Sequence, residues 1–174
     1  FKWAEFHNWG MDKGTATRHA DDQCCGQTYI DLYNICPDDP KKIRDIKACI
    51  DMVVNTPQNN DWYWIDAIQM AMPVFAKLAV LTGDRAYSEK MWEMYKCTRD
   101  TLGDKGLFNR KDGFWWRDKD FDYPYLTRNG KPCYWSRGNG WVFAALDRVM
   151  DIIPKSDPHY KEYLHDFKTM ARAI

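Results

Sequence analysis

The sequence lacks the features that direct a protein to a membrane or to a nucleic acid. Its 25 Lys and Arg residues are balanced by 25 Asp and Glu residues, so the formal net charge is zero and no attraction to a polyanion is expected. It has no apolar run of about 18 residues, the length that a transmembrane helix needs, and residues 1–10 lack the basic start and apolar stretch of a signal peptide. We therefore predict neither a membrane nor a nucleic-acid partner. Because 45% of the residues are hydrophobic, we also exclude a disordered chain.

Signatures of metal, nucleotide and thiol chemistry are missing as well. The six cysteines form no C-x-x-C pair, which excludes zinc-ribbon and thioredoxin-like sites. The four histidines show no metal-ligand spacing, no serine lies in a G-x-S-x-G turn, and the G-N-G segment 138–140 lacks the third glycine of a phosphate loop. Asp118, Asp120 and Asp122 alternate as in a calcium loop, but Tyr123 replaces the turn glycine, so an EF-hand is excluded and only a looser calcium site stays open. We predict no cofactor and no metal centre.

Aromatic side chains are abundant, at 16% of the residues with nine tryptophans. A small core rarely needs so many tryptophans, whereas the flat C–H faces of sugar rings stack on indole. The composition therefore favours a carbohydrate ligand.

Apolar residues recur at helical spacing, and Pro and Gly divide the pattern into six segments. The predicted helices cover about 20–36, 40–56, 64–83, 85–101, 139–153 and 158–174. Pro73 should kink the third helix, and Asn139 should cap the fifth. Three successive helix pairs predict an all-α fold, a toroid or solenoid of antiparallel hairpins. Because the pattern is still apolar at Ile174, we expect a fragment of a longer protein whose exposed edge allows self-association.

The long connection between the fourth and fifth helices, residues 103–138, is where we expect function, because long ordered loops commonly carry it. Within it, residues 107–109 and 114–117 flank a Lys-Asp-Gly turn, and residues 128–131 give a second turn signal. Two small β-hairpins are predicted in this loop.

Four polar and aromatic segments lie at the start of an odd-numbered helix or in the long loop. Because the odd helices of an alternating array point the same way, all four should converge on one end of the fold. They are Arg18–Asp22, Trp62–Asp66, Trp115–Asp118 and Trp135–Trp141.

Asp66 is the candidate general acid. Trp62 and Trp64 would exclude water from its carboxyl, which raises the pKa, and a second carboxylate from Asp22 or Asp21 would raise it further. The helix N-terminus acts in the opposite direction. An Asp in the first turn of a helix commonly serves only as a cap, and the pattern leaves both interpretations open.

Arg137 lies between Trp135 and Trp141 in a glycine-containing turn. Its planar guanidinium suits a substrate carboxylate, and the two indoles offer faces for rings. An Arg stacked on a core Trp would look the same in sequence.

Three motifs follow one another along the chain: R-x-A-D-D-Q at 18–23 with G-Q-T-Y at 26–29, W-I-D-A at 64–67, and Y-W-S-R-G-N-G-W at 134–141. They resemble those of the unsaturated rhamnogalacturonyl hydrolases, glycoside hydrolase family 105, which is related to the unsaturated glucuronyl hydrolases of family 88. The resemblance implies an (α/α)6 barrel of six helical hairpins. Residues 1–174 would supply about half of it, as a partial toroid catalytic domain.

The resemblance also implies a reaction. Its substrates are oligosaccharides, here expected to be pectic, in which a lyase has left a 4,5-unsaturated terminal uronic acid. A carboxylic acid protonates C4 of this vinyl ether, water adds at C5, and the hemiketal opens to release the sugar. Asp66 matches the proposed acid and base, and Asp22 matches the second acidic residue.

The substrate-binding residues implied in the same way are Trp64, Trp116, Arg117, Trp135, Arg137 and Trp141. Many members have a His where this chain has Asn109, so Trp116 and Arg117 are expected to contact the next sugar instead. The resemblance leaves the compartment open between cytoplasm and periplasm, and slightly favours the periplasm.

Two other functions stay open. A conventional inverting glycosidase would use Asp66 and Asp22 as acid and base on a substrate without a double bond. A non-catalytic carbohydrate-binding helical scaffold is the other, because fold does not imply function.

Overall fold

The computed structural model describes residues 1–174 as three helical hairpins with an N-terminal segment and one small β-hairpin. Its elements are α1 Lys2–Phe6, α2 Ala20–Gln23, α3 Cys25–Ile35, α4 Lys41–Val54, α5 Asp66–Thr82, α6 Arg85–Asp100, β1 Phe108–Asn109, β2 Phe114–Trp115, α7 Ser136–Ile152 and α8 Tyr160–Ala173. The predicted all-α class is confirmed, and so is the first of the two predicted β-hairpins, in which Phe108 pairs with Trp115.

The long helices lie in two layers. In one layer, α5 packs between α3 and α7, and in the other, α6 packs between α4 and α8. α5 is the central element, and its Ile68, Met72 and Phe75 side chains are fully buried. A helix that is apolar on most of its surface is expected at such a position. Asp66 is the first residue of α5 and therefore lies at the N-terminal end of this central helix.

α5 continues as an unbroken helix through Pro73, and the kink expected there stays a prediction. Pro has no N–H to donate to the carbonyl of the residue four positions earlier, which is Gln69. The side-chain amide of Gln27 in α3 donates to the carbonyl of Gln69 at 2.8 Å and to that of Met70 at 2.9 Å. Gln27 thus supplies from a neighbouring helix the hydrogen bond that Pro73 removes.

A buried ion pair joins α6 to α8. Arg99, which is 4% exposed, donates to the fully buried carboxylate of Asp166 at 2.8 Å. The hydroxyl of Tyr95 donates to the same carboxylate at 2.9 Å. A carboxylate that is removed from water in this way depends on its partners, because an unpaired buried ion loses its hydration without compensation.

Several helix boundaries differ from the prediction. The first predicted helix is interrupted at Cys24 into α2 and α3, while the third and sixth begin two residues later, at Asp66 and Tyr160. α7 begins at Ser136, three residues before Asn139, so Asn139 is not its cap. The side chain of Asn139 is 3% exposed and is engaged in the core instead.

The second predicted β-hairpin, around residues 128–131, is a turn rather than a pair of strands. A single β-bridge between Leu126 and Pro132 closes it. Pro132 has no N–H to contribute to a longer ladder, which explains why the pairing stops there.

The N-terminal segment exposes large apolar side chains, with Trp3 65% and Phe6 84% exposed. Self-association through an apolar edge stays a prediction. None of the helices combines the length and the hydropathy that a membrane span requires. The six cysteines are all free thiols.

Candidate active site

The segments that were predicted to converge meet where α5 begins. The backbone N–H of Ile65 donates to the carbonyl of Arg117 at 2.9 Å, and a β-bridge joins Trp64 to Asp118. The ring of His19 lies against the ring of Trp64, with 4.8 Å between their centroids. The long loop and the segment before α2 therefore both border the first turn of α5.

Gly138 allows the first turn of α7 to approach the first turn of α5. A Cβ atom at this position would lie 2.7 Å from Cδ1 of Ile65 and 2.6 Å from the ring of Trp135, which is closer than packed side chains come. The residue before it, Arg137, is thereby brought within electrostatic range of Asp66. Glycine is therefore required at position 138 by the close packing of α7 against Ile65 and Trp135.

Asp66 is half-buried at the start of α5, and its carboxyl accepts no hydrogen bond from the protein. Its Oδ1 atom is inaccessible to water. Burial is the main reason why the pKa of Asp66 is raised above its ordinary value. The charges of Arg137 and Arg117 partly offset this rise, whereas those of Asp21 and Asp118 add to it. A carboxyl with a raised pKa and unoccupied oxygens is suited to donate and accept a proton.

The carboxylate of α2 that adds to the rise in the pKa of Asp66 is that of Asp21. Asp22 is 9% exposed and accepts a hydrogen bond from the hydroxyl of Thr17 at 2.6 Å. Asp21 is exposed, and its Oδ2 atom lies 3.6 Å from Nδ1 of His19. Because adjacent helical residues point about 100° apart, the two carboxylates have different surroundings.

Arg117 and Arg137 line one cleft of about 440 Å³, which we call the arginine cleft. Phe121, Cys133 and Trp135 complete its lining. The guanidinium of Arg117 lies 4.3 Å from the centre of the Phe121 ring, and that of Arg137 lies 4.4 Å from the centre of the Trp135 ring. Both arginines are exposed, so the stacking of Arg137 on Trp135 occurs at the surface of a cleft and not in the core.

The other tryptophans named from the sequence lie around this end of the fold. Trp64 and Trp116 are half-buried, and Trp116 packs on Tyr134 with 5.7 Å between ring centroids. The indole nitrogen of Trp116 is buried without a hydrogen-bond partner. Trp141 is 37% exposed and follows Arg137 by four residues, which places both on one face of α7.

Asn139 is a residue whose role sequence reasoning missed. Its Oδ1 accepts from the backbone N–H of Trp115 at 2.7 Å, and its Nδ2 donates to the carbonyls of Trp115 at 2.9 Å and Trp135 at 3.0 Å. The side chain therefore fixes β2, and the Trp116–Arg117 segment after it, to α7. The sequence holds one signal, since Asn139 shares the apolar face of the helix with Val142 and Leu146.

No group of three or more His, Cys, Asp or Glu side chains is arranged to hold a metal ion. Among the alternating aspartates, Asp118 accepts from Nε of Arg117 at 2.6 Å, and Asp122 accepts from the backbone N–H of Asp104 at 2.9 Å. Each of these two carboxylates already has a partner within the protein.

A larger cavity, of about 570 Å³, lies at the opposite end of α5, between Val80 and Ile153. α5 has 17 residues, so its two ends are about 25 Å apart at 1.5 Å per residue. This cavity is therefore separate from Asp66 and the arginine cleft.

Comparisons with known proteins identify the family and the fold. The Glycosyl Hydrolase Family 88 profile matches residues 1–174. A curated relative from Formosa agariphila, named unsaturated 3S-rhamnoglycuronyl hydrolase, is 38% identical over 117 residues, which cover 65% of this chain and 30% of the relative. A solved structure described as a glycosyl hydrolase family 88 protein from Bacteroides vulgatus has a TM-score of 0.91 at 32% identity, over 99% of this chain and 52% of that chain.

A family 105 glycoside hydrolase from C. acetobutylicum has a TM-score of 0.68 at 20% identity, over 99% of this chain and 53% of that chain, which is a likeness of fold alone. The chain thus spans about half the length of these two solved structures and about a third of the curated relative. Families 88 and 105 are (α/α)6 barrel enzymes, and the three hairpins correspond to half of such a barrel. The resemblance read from the motifs is confirmed, and the chain belongs to glycoside hydrolase family 88.

Proposed function

We propose that the protein removes a terminal 4,5-unsaturated uronic acid from lyase-generated oligosaccharides by hydrating the vinyl ether double bond. The observation that carries this proposal is Asp66, a half-buried carboxyl with a raised pKa, no hydrogen-bond partner, and two arginines within electrostatic range. Such a group stays protonated to a higher pH than an exposed Asp, which suits the protonation of a carbon atom near neutral pH.

In the proposed reaction, protonated Asp66 transfers its proton to C4, and a water molecule adds its oxygen to C5. One proton of that water returns to the Asp66 carboxylate and the other stays on the new C5 hydroxyl, so the net change is the addition of water across the double bond. The resulting hemiketal opens and releases the sugar as a keto product. Cationic charge near the substrate carboxylate would orient the ring, and we assign this role to Arg137.

We assign the second acidic role to Asp21, because its charge acts on Asp66. Asp22, the residue that the motif resemblance indicates, is held by Thr17 in a buried position. A carboxylate at Asp21 disfavours ionisation of Asp66 and thus favours the acid form that the first step needs.

Two sources indicate the class of substrate. The motif resemblance points to pectic rhamnogalacturonan fragments, and the name of the Formosa agariphila relative specifies 3S-rhamnose next to the uronic acid. Both descriptions share an unsaturated uronic acid attached to rhamnose, and this is the substrate class that we propose.

The test follows the ultraviolet absorbance of the conjugated double bond while full-length protein is incubated with unsaturated uronyl-rhamnose oligosaccharides. We expect the absorbance to fall with the parent protein. For Asp66→Asn we expect kcat to fall about 10²–10⁴-fold, the usual contribution of a general acid. Asp21→Asn and Asp22→Asn form a matched pair of neighbouring carboxylates, and we expect the larger loss for Asp21→Asn.

The outcomes separate the alternatives. Unchanged absorbance together with release of reducing sugar, including from saturated substrates, would indicate the conventional inverting glycosidase. Binding without either change would indicate a carbohydrate-binding scaffold. A larger loss for Asp22→Asn than for Asp21→Asn would return the second acidic role to Asp22.

A further inference from the structure

We propose that Arg18 is a positioning residue for the hydration reaction, which holds the segment that carries Asp21 and Asp22 against the loop that leads to Asp66. The inference rests on the proposed function. The loop consists of residues 55–65, between α4 and α5, and we call it the α4–α5 loop. Arg18 lies two residues before α2, so it comes from a different part of the chain than the loop that it contacts.

Arg18 uses all five N–H donors of its guanidinium within the protein. Nε and Nη2 donate to the two carboxylate oxygens of Asp61, at 2.8 and 2.5 Å. The remaining donors reach the hydroxyl of Thr56 at 2.7 Å, the carbonyl of Gln58 at 3.1 Å and the sulfur of Met52 at 3.7 Å. Because a guanidinium carries five N–H groups in all, none is left for a substrate. Arg18 therefore acts on the protein and not on the sugar.

The pair between Arg18 and Asp61 is suited to fix geometry. Asp61 is buried, and it precedes Asp66 by five residues. Two parallel hydrogen bonds between a guanidinium and a carboxylate set the direction as well as the distance of the contact, which a lysine cannot reproduce. Because lost hydration offsets much of the attraction in such a pair, we expect it to contribute more to the shape of the loop than to stability.

α6 holds the α4–α5 loop from the other side. The ammonium of Lys90, a buried residue, donates to the carbonyl of Thr56 and to the side chain of Asn59, both at 2.5 Å. The hydroxyl of Thr98 donates to the carbonyl of Trp62 at 2.7 Å. The loop is thus anchored to the core by α6, and the fork of Arg18 attaches the segment before α2 to this anchored loop.

His19, the residue after Arg18, contacts the same loop closer to the reacting carboxyl. Its ring lies 4.8 Å from that of Trp64, between centroids, and its Nδ1 lies 3.6 Å from Oδ2 of Asp21. Burial is the main cause of the raised pKa of Asp66, and the charge of Asp21 adds to it, whereas the charge of Arg18 is not among the main causes. Arg18 therefore acts on Asp66 through the position of its neighbours.

The experiment measures kcat and KM across pH for hydration of an unsaturated uronyl-rhamnose disaccharide by the full-length protein and its Arg18→Gln and Arg18→Lys variants. The double variant Arg18→Gln/Asp61→Asn removes the buried, unpaired carboxylate that Arg18→Gln creates, and it replaces the single variant if that one does not fold. Arg44→Gln is the matched control. Arg44 pairs with Asp45 at 2.7 Å near the start of α4, at the opposite end of that helix from the α4–α5 loop.

We expect kcat of Arg18→Gln to fall by about 10–10²-fold, the effect of a small misplacement of reacting groups. KM should change by less than about threefold, because Arg18 does not contact the substrate. The basic limb of the kcat profile, where Asp66 loses its proton, should move to lower pH, because a released loop admits water to Asp66 and separates it from Asp21.

The other variants separate positioning from stability. Arg18→Lys should recover part of kcat, and the double variant should regain stability in urea unfolding without regaining kcat. Arg44→Gln should leave kcat and the pH profile unchanged. Parental kcat and pH dependence in folded Arg18→Gln or in the double variant would overturn the inference and leave the proposed function intact, and so would a rise in KM at unchanged kcat. If the parent protein does not hydrate the substrate, the proposed function fails and the inference fails with it.

Discussion

The close approach of α7 to α5 at Gly138 leads to a sharp prediction about stability and activity. In Gly138→Ala, the new Cβ would lie 2.7 Å from Cδ1 of the fully buried Ile65 and 2.6 Å from the Trp135 ring, so one of them must move. Overpacking of this kind costs about 1–3 kcal/mol. Replacing a helical Gly by Ala returns about 0.5–1 kcal/mol. We therefore expect a net loss of up to about 2.5 kcal/mol in the free energy of unfolding.

Gly140→Ala is the matched control within the same turn of α7. A Cβ at Gly140 meets no atom within 4 Å, so only the helix-propensity gain applies. We expect Gly140→Ala to raise the free energy of unfolding by about 0.5–1 kcal/mol. The two substitutions are chemically identical and should shift stability in opposite directions.

Urea unfolding of the full-length protein, followed by tryptophan fluorescence, measures both free energies. Hydration assays should show a second contrast, because displacement of the first turn of α7 moves Arg137 away from Asp66. We expect kcat/KM to fall about tenfold or more in Gly138→Ala and to change little in Gly140→Ala. If Gly138→Ala is as stable and as active as Gly140→Ala, the close approach does not position Arg137, and the reasoning fails.

Three further changes should have measurable effects. Asn139→Ala removes the partners of both backbone groups of the fully buried Trp115, and we expect a loss of about 2–6 kcal/mol in the free energy of unfolding, at about 1–3 kcal/mol for each orphaned group. Arg99→Met removes the nearer of the two arginines paired with the fully buried carboxylate of Asp166 and leaves only Arg110, at 3.6 Å, and we expect a loss of up to about 3–5 kcal/mol. The pKa of Asp66 is higher in the folded protein than in the unfolded chain, so the protein loses stability as pH rises through the folded pKa and Asp66 ionises. Asp66→Asn should therefore be more stable than the parent at neutral pH. The difference should vanish below about pH 4, where Asp66 is protonated in both states.

Matched controls accompany these changes. Asn60 is exposed and makes no side-chain hydrogen bond, so Asn60→Ala should alter stability by less than about 0.5 kcal/mol. Arg85 is 74% exposed at its side chain in a surface pair with Glu89, so Arg85→Met should cost less than about 1 kcal/mol. If Asn139→Ala or Arg99→Met costs no more than its control, the contacts described here are not what stabilises those elements. A parent protein that gains stability relative to Asp66→Asn as pH rises would contradict the raised pKa of Asp66.

The helices could be predicted because the amphipathic pattern is local. Ile46, Ile50 and Val53 recur at three- and four-residue spacing, and all three are fully buried on α4. The β1–β2 hairpin was predictable for a similar reason, since a Lys-Asp-Gly turn joins its two strands. The rise in the pKa of Asp66 was also predicted, and burial is its main cause in the structure.

Contacts between distant segments were not predictable in the same way. The sequence could not show which of Asp21 and Asp22 is exposed and which is buried, because that depends on how α2 packs against its neighbours. It suggested a helix cap for Asn139, since Asn is common at caps, whereas the structure uses its amide to hold β2. The hydrogen bond from Gln27 to the carbonyl of Gln69 joins two different helices, and no local sequence pattern in either helix predicts it.

The sequence by itself determined the helix pairs, the family and the identity of the candidate acid, because each depends on residues within a few positions of one another. Only the tertiary structure decided the arginine cleft, whose Arg117 and Arg137 come from different elements. It also decided the surroundings of the two α2 carboxylates, because Asp22 is buried against Thr17 whereas Asp21 is exposed. These features depend on the distances between elements, and packing of the core sets those distances in a way that no local pattern specifies.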